Sequence, residues 1–324
     1  MMRMTVLASG SKGNSTVISS SRTRVLVDAG LSCREILKRM ALAGEDPATL
    51  DAILITHEHI DHVAGLAVLA RRLNIPVYLT EPTHRAWVRM VTPRTTMTYA
   101  KWLDHVQQEK EARAAAVAQA NLDGNLNIAA EAAPEPSSAQ APDDLCEPAP
   151  ATKSNPAHLP AVEYFHSGTS FCIGDLDITP FTIPHDAADP CGFVFAAEGL
   201  RMAVATDLGY MPPNVKAALK RIDALLLESN HDLEMLRDGP YPWSVKQRVL
   251  SRVGHLSNHA TAEFLSTDYD GGASYIVLGH LSESNNAPEL ARIAAEQALA
   301  SHPKLLGNRV LLAMQSAPLD PITL

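Results

Sequence analysis

Cysteine is scarce in this 324-residue chain, and its four copies, Cys33, Cys146, Cys172 and Cys191, show no CxxC spacing. That usage fits thiols in a reducing cytoplasm better than a disulfide framework. No apolar run approaches the length of a membrane span, and the N-terminus lacks the charged-then-apolar pattern of an export signal. The expectation is a cytosolic protein with no membrane partner. An excess of positive charge is also missing. The 27 Lys and Arg face 36 Asp and Glu, and the net charge of −9 argues against a strongly basic nucleic-acid binder. Two facts soften that exclusion. Much of the acid lies in one low-complexity segment, and bound metal ions supply the local positive charge that a phosphodiester needs.

What is present fits a soluble globular protein. A hydrophobic fraction of 46% with 19% charged residues is enough for a substantial core, in one large domain or two. The chain is organised around Ala52-Ile53-Leu54-Ile55-Thr56-His57-Glu58-His59-Ile60-Asp61-His62. A short apolar run reads as a buried strand, and three imidazoles and a carboxylate crowd its end. Extended backbone places residues i and i+2 on one face, so His57 and His59 are able to share one ion. Asp61 and His62 follow the turn and reach toward a second. Imidazole nitrogen with carboxylate oxygen is a ligand set for zinc, manganese or iron.

Apolar runs that end in ionisable residues recur at Asp28, His185, Asp207, Glu228 and His280. Alternating strands and helices between them predict a mixed α/β sandwich. Helices are predicted over 32–43, 63–74, 81–90 and 288–300, and strands over 75–79, 177–183 and 309–314. From about 104 to 160 Ala, Glu, Gln, Pro and Ser dominate, too little apolar surface to offset ordering the chain. This stretch reads as an insertion within a single domain spanning 1–324, because metal-type residues lie on both sides of it. Residues 107–120 within it have the pattern of a surface helix.

Thr56-His57-Glu58-His59-Ile60-Asp61-His62 resembles the HxHxDH signature of the metallo-β-lactamase superfamily. The resemblance implies an αββα four-layer sandwich with a metal site, usually dinuclear, at the sheet edge. It implies His57, His59 and His185 on one ion, Asp61, His62 and His280 on the other, and Asp207 bridging. Asp61 is also a candidate catalytic residue, and Asp28 is expected to steady the His loop. Two ions sharing a hydroxide point to hydrolysis.

Spacing narrows the substrate. Only 73 positions separate Asp207 from His280 (280 − 207), too few for the large inserted domain of β-CASP ribonucleases, and 22 separate His185 from Asp207 (207 − 185), too few for the arm of tRNA 3′-processing enzymes. Leu7-Ala8-Ser9-Gly10-Ser11-Lys12-Gly13-Asn14-Ser15, Leu227-Glu228-Ser229-Asn230-His231-Asp232, Gly254-His255-Leu256-Ser257-Asn258 and Leu278-Gly279-His280-Leu281-Ser282 are similar to the YycJ/WalJ-like branch. That branch is associated with 5′→3′ DNA exonuclease activity and manganese use, so DNA is the expected substrate and two Mn²⁺ or Zn²⁺ ions the expected cofactors. A small-molecule hydrolase acting on a cyclic phosphodiester or thioester is the alternative. By the same resemblance Glu228 and His255 cooperate at the leaving group. Asn230, His231 and Asn258 are candidate phosphate contacts. The Ser9–Ser15 loop has two readings, turn chemistry alone or phosphate contact through its backbone N–H groups and Lys12. Lys246, Arg248 and Arg252 read as a solvated helix face rather than a DNA track. Oligomeric state is left open.

Overall fold

The computed structural model describes residues 1–92, 155–300 and 307–324. Cys146 and the surface helix expected over 107–120 lie outside them. By contacts the chain divides into Met1–Val91 with Pro156–Leu324, and Thr92–Asn155.

Its first sheet carries β1 (Arg3–Ala8), β2 (Ser15–Ser19), β3 (Arg24–Val27), β4 (Ala52–Leu54), β5 (Val77–Leu79) and β6 (Val162–Tyr164) in order, with β14 (Ile322–Thr323) outside β1. Pairing is antiparallel from β14 to β3 and parallel from β3 to β6. The second sheet runs through β7 (Phe171–Ile173), β8 (Leu176–Thr182), β9 (Cys191–Ala197), β10 (Leu200–Ala205), β11 (Ala224–Glu228), β12 (Tyr275–Gly279) and β13 (Arg309–Leu312). It too is antiparallel first, from β7 to β10, and parallel from β10 to β13.

Side-chain alternation along the strands builds the layers. Val25, Val27, Ala52 and Leu54 of the first sheet pack in one cluster with Met202, Val204, Ala224 and Leu226 of the second. Their neighbours Leu26 and Ile53 turn to the opposite face, against Ile36 and Met40 of α1 (Cys33–Leu42) and Leu66 and Leu69 of a later helix. Ala203, Leu225 and Ile276 do the same on the second sheet, beneath Phe264, Leu265, Ala291 and Ala295. The period of two explains why these strands read as continuous apolar runs, since both of their faces are covered. The result is the expected α/β sandwich, helices outside two facing sheets.

One predicted helix is different in the structure. The stretch 63–74 is not continuous. α2 (Ile60–Val63) begins inside the His motif, and α3 (Leu66–Leu73) follows after a break at Ala64-Gly65. Gly65 donates its N–H to Ala29 O at 2.8 Å, and a Cβ there would stand 2.2 Å from Leu31 O. The break therefore lets the helix pair lie against the chain following Asp28. α4 (Glu81–Val91) and the Pro288–Ala300 helix form as the pattern predicts.

Candidate metal centre

Parallel pairing puts the C-terminal ends of β3 and β4 together, and those of β10, β11 and β12 together. Asp28 and His280, each directly after such a strand, and Asp207, one residue beyond β10, have φ of 61°, 54° and 63°. Left-handed backbone at a non-glycine residue costs roughly 1–2 kcal/mol. At three strand ends of one site it turns the chain sharply and aims the side chain back across the sheet edge, as functional sites do.

Two triads of ligand atoms result. His57, His59 and His185 each offer a ring nitrogen, and these lie within 4.8 Å of one another. Asp61, His62 and His280 form a second group on the same criterion. Asp207 stands between them, with Oδ2 3.2 Å from His62 Nε2 and Oδ1 3.9 Å from His185 Nε2. α2 explains the second triad. Asp61 and His62 occupy its first turn, so both face His280 across the opening.

Every imidazole in the two triads has its other nitrogen tied to an oxygen. His57 Nδ1 lies 3.0 Å from Thr56 Oγ1, His59 Nε2 3.2 Å from Asp186 O, and His185 Nδ1 3.2 Å from Gly254 O. His62 Nδ1 lies 2.8 Å from Asp28 Oδ2, and His280 Nδ1 2.9 Å from Glu228 Oε1. An N–H fixed on an outer oxygen leaves the inner nitrogen as a lone pair, the usual support of a metal-binding histidine. Among the described residues, His57 Nε2, His280 Nε2 and Asp207 Oδ2 are buried and make no hydrogen bond. Buried polar atoms are normally satisfied. Three orphans facing one space fit divalent cations, and the nitrogen and oxygen donors suit zinc or manganese.

Charge within the cluster is strongly skewed. Burial disfavours the imidazolium of His62, but Asp207, Asp28 and Asp61 outweigh it and raise its pKa well above the ordinary value. Burial is likewise outweighed at His280, chiefly by Asp207, and its pKa also rises. His57 goes the other way, well down, through burial and the nearby His62. Burial opposes the charge of Asp207, yet His280 and His62 hold its carboxyl well below the usual range. At Glu228 burial is overcome by His255 and His280, and the carboxyl sits at about 2.

Glu228 is fully buried and hydrogen bonded on both oxygens. Oε1 lies 2.8 Å from His255 Nδ1 as well as 2.9 Å from His280 Nδ1, and Oε2 accepts from Leu208 N at 2.6 Å and Leu256 N at 3.3 Å. His255 remains partly open to solvent. Asp28 joins the two lobes of the His motif, taking Thr56 N at 2.9 Å and the Thr56 hydroxyl as well as His62.

The candidate phosphate contacts are placed differently from one another. Asn230 donates to His280 O at 2.7 Å, and Asn258 accepts from Ser229 Oγ at 2.7 Å and donates to Asn286 Oδ1 at 2.8 Å. Both amides are buried and engaged in holding loops. His231 is buried with no hydrogen bond at either ring nitrogen. Lys12 is exposed and pairs with Glu283 at 2.5 Å. The basic trio is not a simple solvated face: Lys246 is buried and donates to Arg237 O, Arg248 pairs with Asp186 at 2.6 Å, and Arg252 lies over the Tyr210 ring.

Three supporting residues escaped the sequence reading. Asn14 Nδ2 lies 3.1 Å from His62 Nε2 and 3.4 Å from Asp61 Oδ2. Thr56 links Asp28 to His57. Glu58 Oε1 accepts from Ala188 N at 2.8 Å and ties the His185 loop to the His motif. A Gly-Asn pair signals a turn, and a Glu between two histidines signals nothing by itself; only the fold brings them to these partners.

Residues 8–109 match the model of the metallo-beta-lactamase superfamily, and residues 130–281 match that of a beta-lactamase superfamily domain. The chain belongs to the metallo-beta-lactamase superfamily. It is 33% identical over 298 residues to the exodeoxyribonuclease WalJ of Streptococcus pneumoniae, covering 92% of this chain and 88% of that protein. Over the same share of this chain it is 32% identical to the exodeoxyribonuclease YycJ of Bacillus anthracis, covering 89% of it. The metallo-beta-lactamase fold protein YhfI of Bacillus subtilis superposes with a TM-score of 0.59 at 13% identity, covering 99% of this chain and all of the other. That likeness concerns the fold. The superfamily membership and the His/Asp clusters make the chain a metal-dependent hydrolase. Among the described residues no helix is long and apolar enough to cross a membrane.

Proposed function

We propose that this chain hydrolyses the phosphodiester bonds of DNA from the 5′ end, using two divalent ions, manganese or zinc. The observation that carries the two-ion reading is the pair of facing triads with Asp207 between them. The DNA reading rests on relatives named as exodeoxyribonucleases over nearly the whole chain, and the 5′→3′ direction on the resemblance to the YycJ/WalJ-like branch.

His57, His59 and His185 would hold one ion, and Asp61, His62 and His280 the other, with Asp207 reaching both. When bound, such a pair activates water and stabilises charge on the phosphate oxygens. The chain's own residues supply the rest. Asp28, Thr56 and Glu228 fix the ring orientations, so the ligand atoms converge before a substrate arrives. Glu228 fastens His255 through Nδ1 and leaves Nε2 to carry a proton into the opening. Water attacks phosphorus and gives up a proton to solvent, the bond from phosphorus to the 3′ oxygen breaks, and that oxygen takes the proton from His255. Proton transfer of this kind is worth about 10²–10⁴ in rate.

The test is to strip the protein of metal, restore manganese or zinc, and offer 5′-phosphorylated duplex DNA beside bis-p-nitrophenyl phosphate. Two metal equivalents per chain and release of 5′-mononucleotides, both lost in Asp61→Ala and His62→Ala, are expected. Turnover of the small ester without DNA cleavage would move the substrate to small phosphodiesters. A single equivalent would remove the dinuclear reading.

A further inference from the structure

Beside the second triad lies a cavity of about 230 Å³ lined by Ser9, Leu281, Ser282, Pro288, Met314 and Gln315, among others. Its position relative to the site is fixed by short covalent and hydrogen-bond links. Leu281 and Ser282 directly follow His280, and Ser9 Oγ accepts the His280 N–H at 2.8 Å. The size is below the roughly 300 Å³ at which pockets for drug-sized ligands begin, and suits one planar ring system.

Resting on the DNA reading above, we infer that this cavity receives a nucleobase flanking the bond to be cleaved, and that it does so without reading which base is present. The walls are the apolar side of Leu281, the Pro288 ring and the Met314 side chain, which is 42% exposed at the mouth. Such walls offer contact to a ring face, which every base has.

Most polar side chains on the lining are already engaged, the exposed Ser316 at the rim excepted. Gln315 Oε1 accepts from Lys12 N at 2.8 Å, and Gln315 Nε2 donates to Gly13 O at 3.0 Å. Asn286 Nδ2 donates to Ser229 O at 2.9 Å and Asn230 O at 3.0 Å, and its Oδ1 accepts from Asn258. Ser9 Oγ is used by His280 N, and Ser282 Oγ accepts from Asn285 N at 3.2 Å. Glu283, also on the lining, is paired with Lys12. Base identity is read by free donors and acceptors on a base edge. With these amides committed to the loops, ring contact remains, together with hydroxyls such as that of Ser316, which both donate and accept and so do not tell one base from another. An enzyme that removes nucleotides in succession gains from that indifference.

The test uses the full chain. First, metal-free protein is titrated into a 5′-phosphorylated oligonucleotide with 2-aminopurine at each of the first two positions in turn. Quenching of its fluorescence at one position is expected, and loss of that quenching in Ser316→Trp, which fills the cavity from its exposed rim. Second, metal-restored protein is given oligonucleotides with an abasic site at the same positions. Loss of that ring contact, at about 1 kcal/mol, corresponds to a rate loss of about fivefold at the position that quenches. The four natural bases there should differ by less than about threefold, and Ser316→Trp should erase the difference between intact and abasic strands while keeping its melting temperature and metal content. Equal cleavage of intact and abasic strands by the wild type, or a preference for one base above tenfold, would overturn the inference. Quenching retained without cleavage of any DNA would support the cavity and strike the nuclease reading instead.

Discussion

Asp28 Oδ2 lies 2.8 Å from His62 Nδ1, with both side chains buried and neither part of the other's element. The carboxylate accepts the Nδ1–H hydrogen bond, so Nε2 of His62 is left to face Asp207 and Asp61. Asp28 thus sets a tautomer at a distance from the reacting centre. Asp28→Asn keeps the shape but offers an amide where an acceptor was. Loss of such an outer partner typically lowers metal affinity about 10–100-fold. Competition with a chelator of known affinity checks this, with circular dichroism to show that the fold survives.

Glu228 holds His255 and His280 on the same oxygen, yet the two imidazoles have different work. His280→Ala should lose metal. His255→Ala should keep it and lose about 10²–10⁴ in DNA hydrolysis. Bis-p-nitrophenyl phosphate has a good leaving group that needs no proton, so His255→Ala should slow it far less than DNA. Equal losses on both substrates would take away the proton-donor role.

Gly30 marks where the His motif crosses the first loop. A Cβ there would stand 1.7 Å from Asp61 O and 2.6 Å from Asn14 N, both backbone atoms that have no side-chain freedom to yield. Gly30→Ala is expected to cost several kcal/mol, in the range of severe packing strain. Thermal melting should show a drop of many degrees, and any folded fraction should bind metal poorly because Asp61 has moved.

Metal binding should depend on pH with a defined sign. His62 and His280 have raised pKa values, so the metal-free protein keeps them protonated beyond the ordinary imidazole value of about 6.5. An incoming ion must displace those protons. Affinity should therefore climb as pH rises past 6.5, with net proton release measurable by calorimetry in buffers of different ionisation enthalpy. Affinity independent of pH over that range would contradict this picture.

His231 should shape acid stability. Burial pushes its pKa down to about 4, against about 6.5 in the unfolded chain. The folded state disfavours the charged ring, so the stability at stake is whole above 6.5 and is lost as pH falls from there toward 4. Two and a half units correspond to on the order of 3 kcal/mol. His231→Gln should flatten the decline of the denaturation midpoint between those pH values.

Strand ends were legible because buried parallel strands leave long apolar runs, and an ionisable residue stands out at the end of each. That pattern brought Asp28, His57, His185, Asp207, Glu228 and His280 forward; the fold gathers the last five among the clustered ligand atoms and sets Asp28 behind His62. Helix breaks were less legible. Gly65 looks tolerable inside a helical pattern, and only its contact with Leu31 O shows why the chain must turn there. Polar loop residues were the least legible. Asn230 and Asn258 face other loop atoms while Asn14 faces the site, a distinction set by tertiary contacts that leave no trace in spacing.

The most direct measurement follows product length from duplex DNA labelled at the 5′ or the 3′ end, with two equivalents of manganese or zinc restored to the protein. Immediate release of labelled mononucleotide from the 5′-labelled strand, with a ladder shortening gradually on the 3′-labelled strand, is the expected result. Mononucleotide appearing first from the 3′ label, or internal fragments from both, would contradict exonuclease action from the 5′ end.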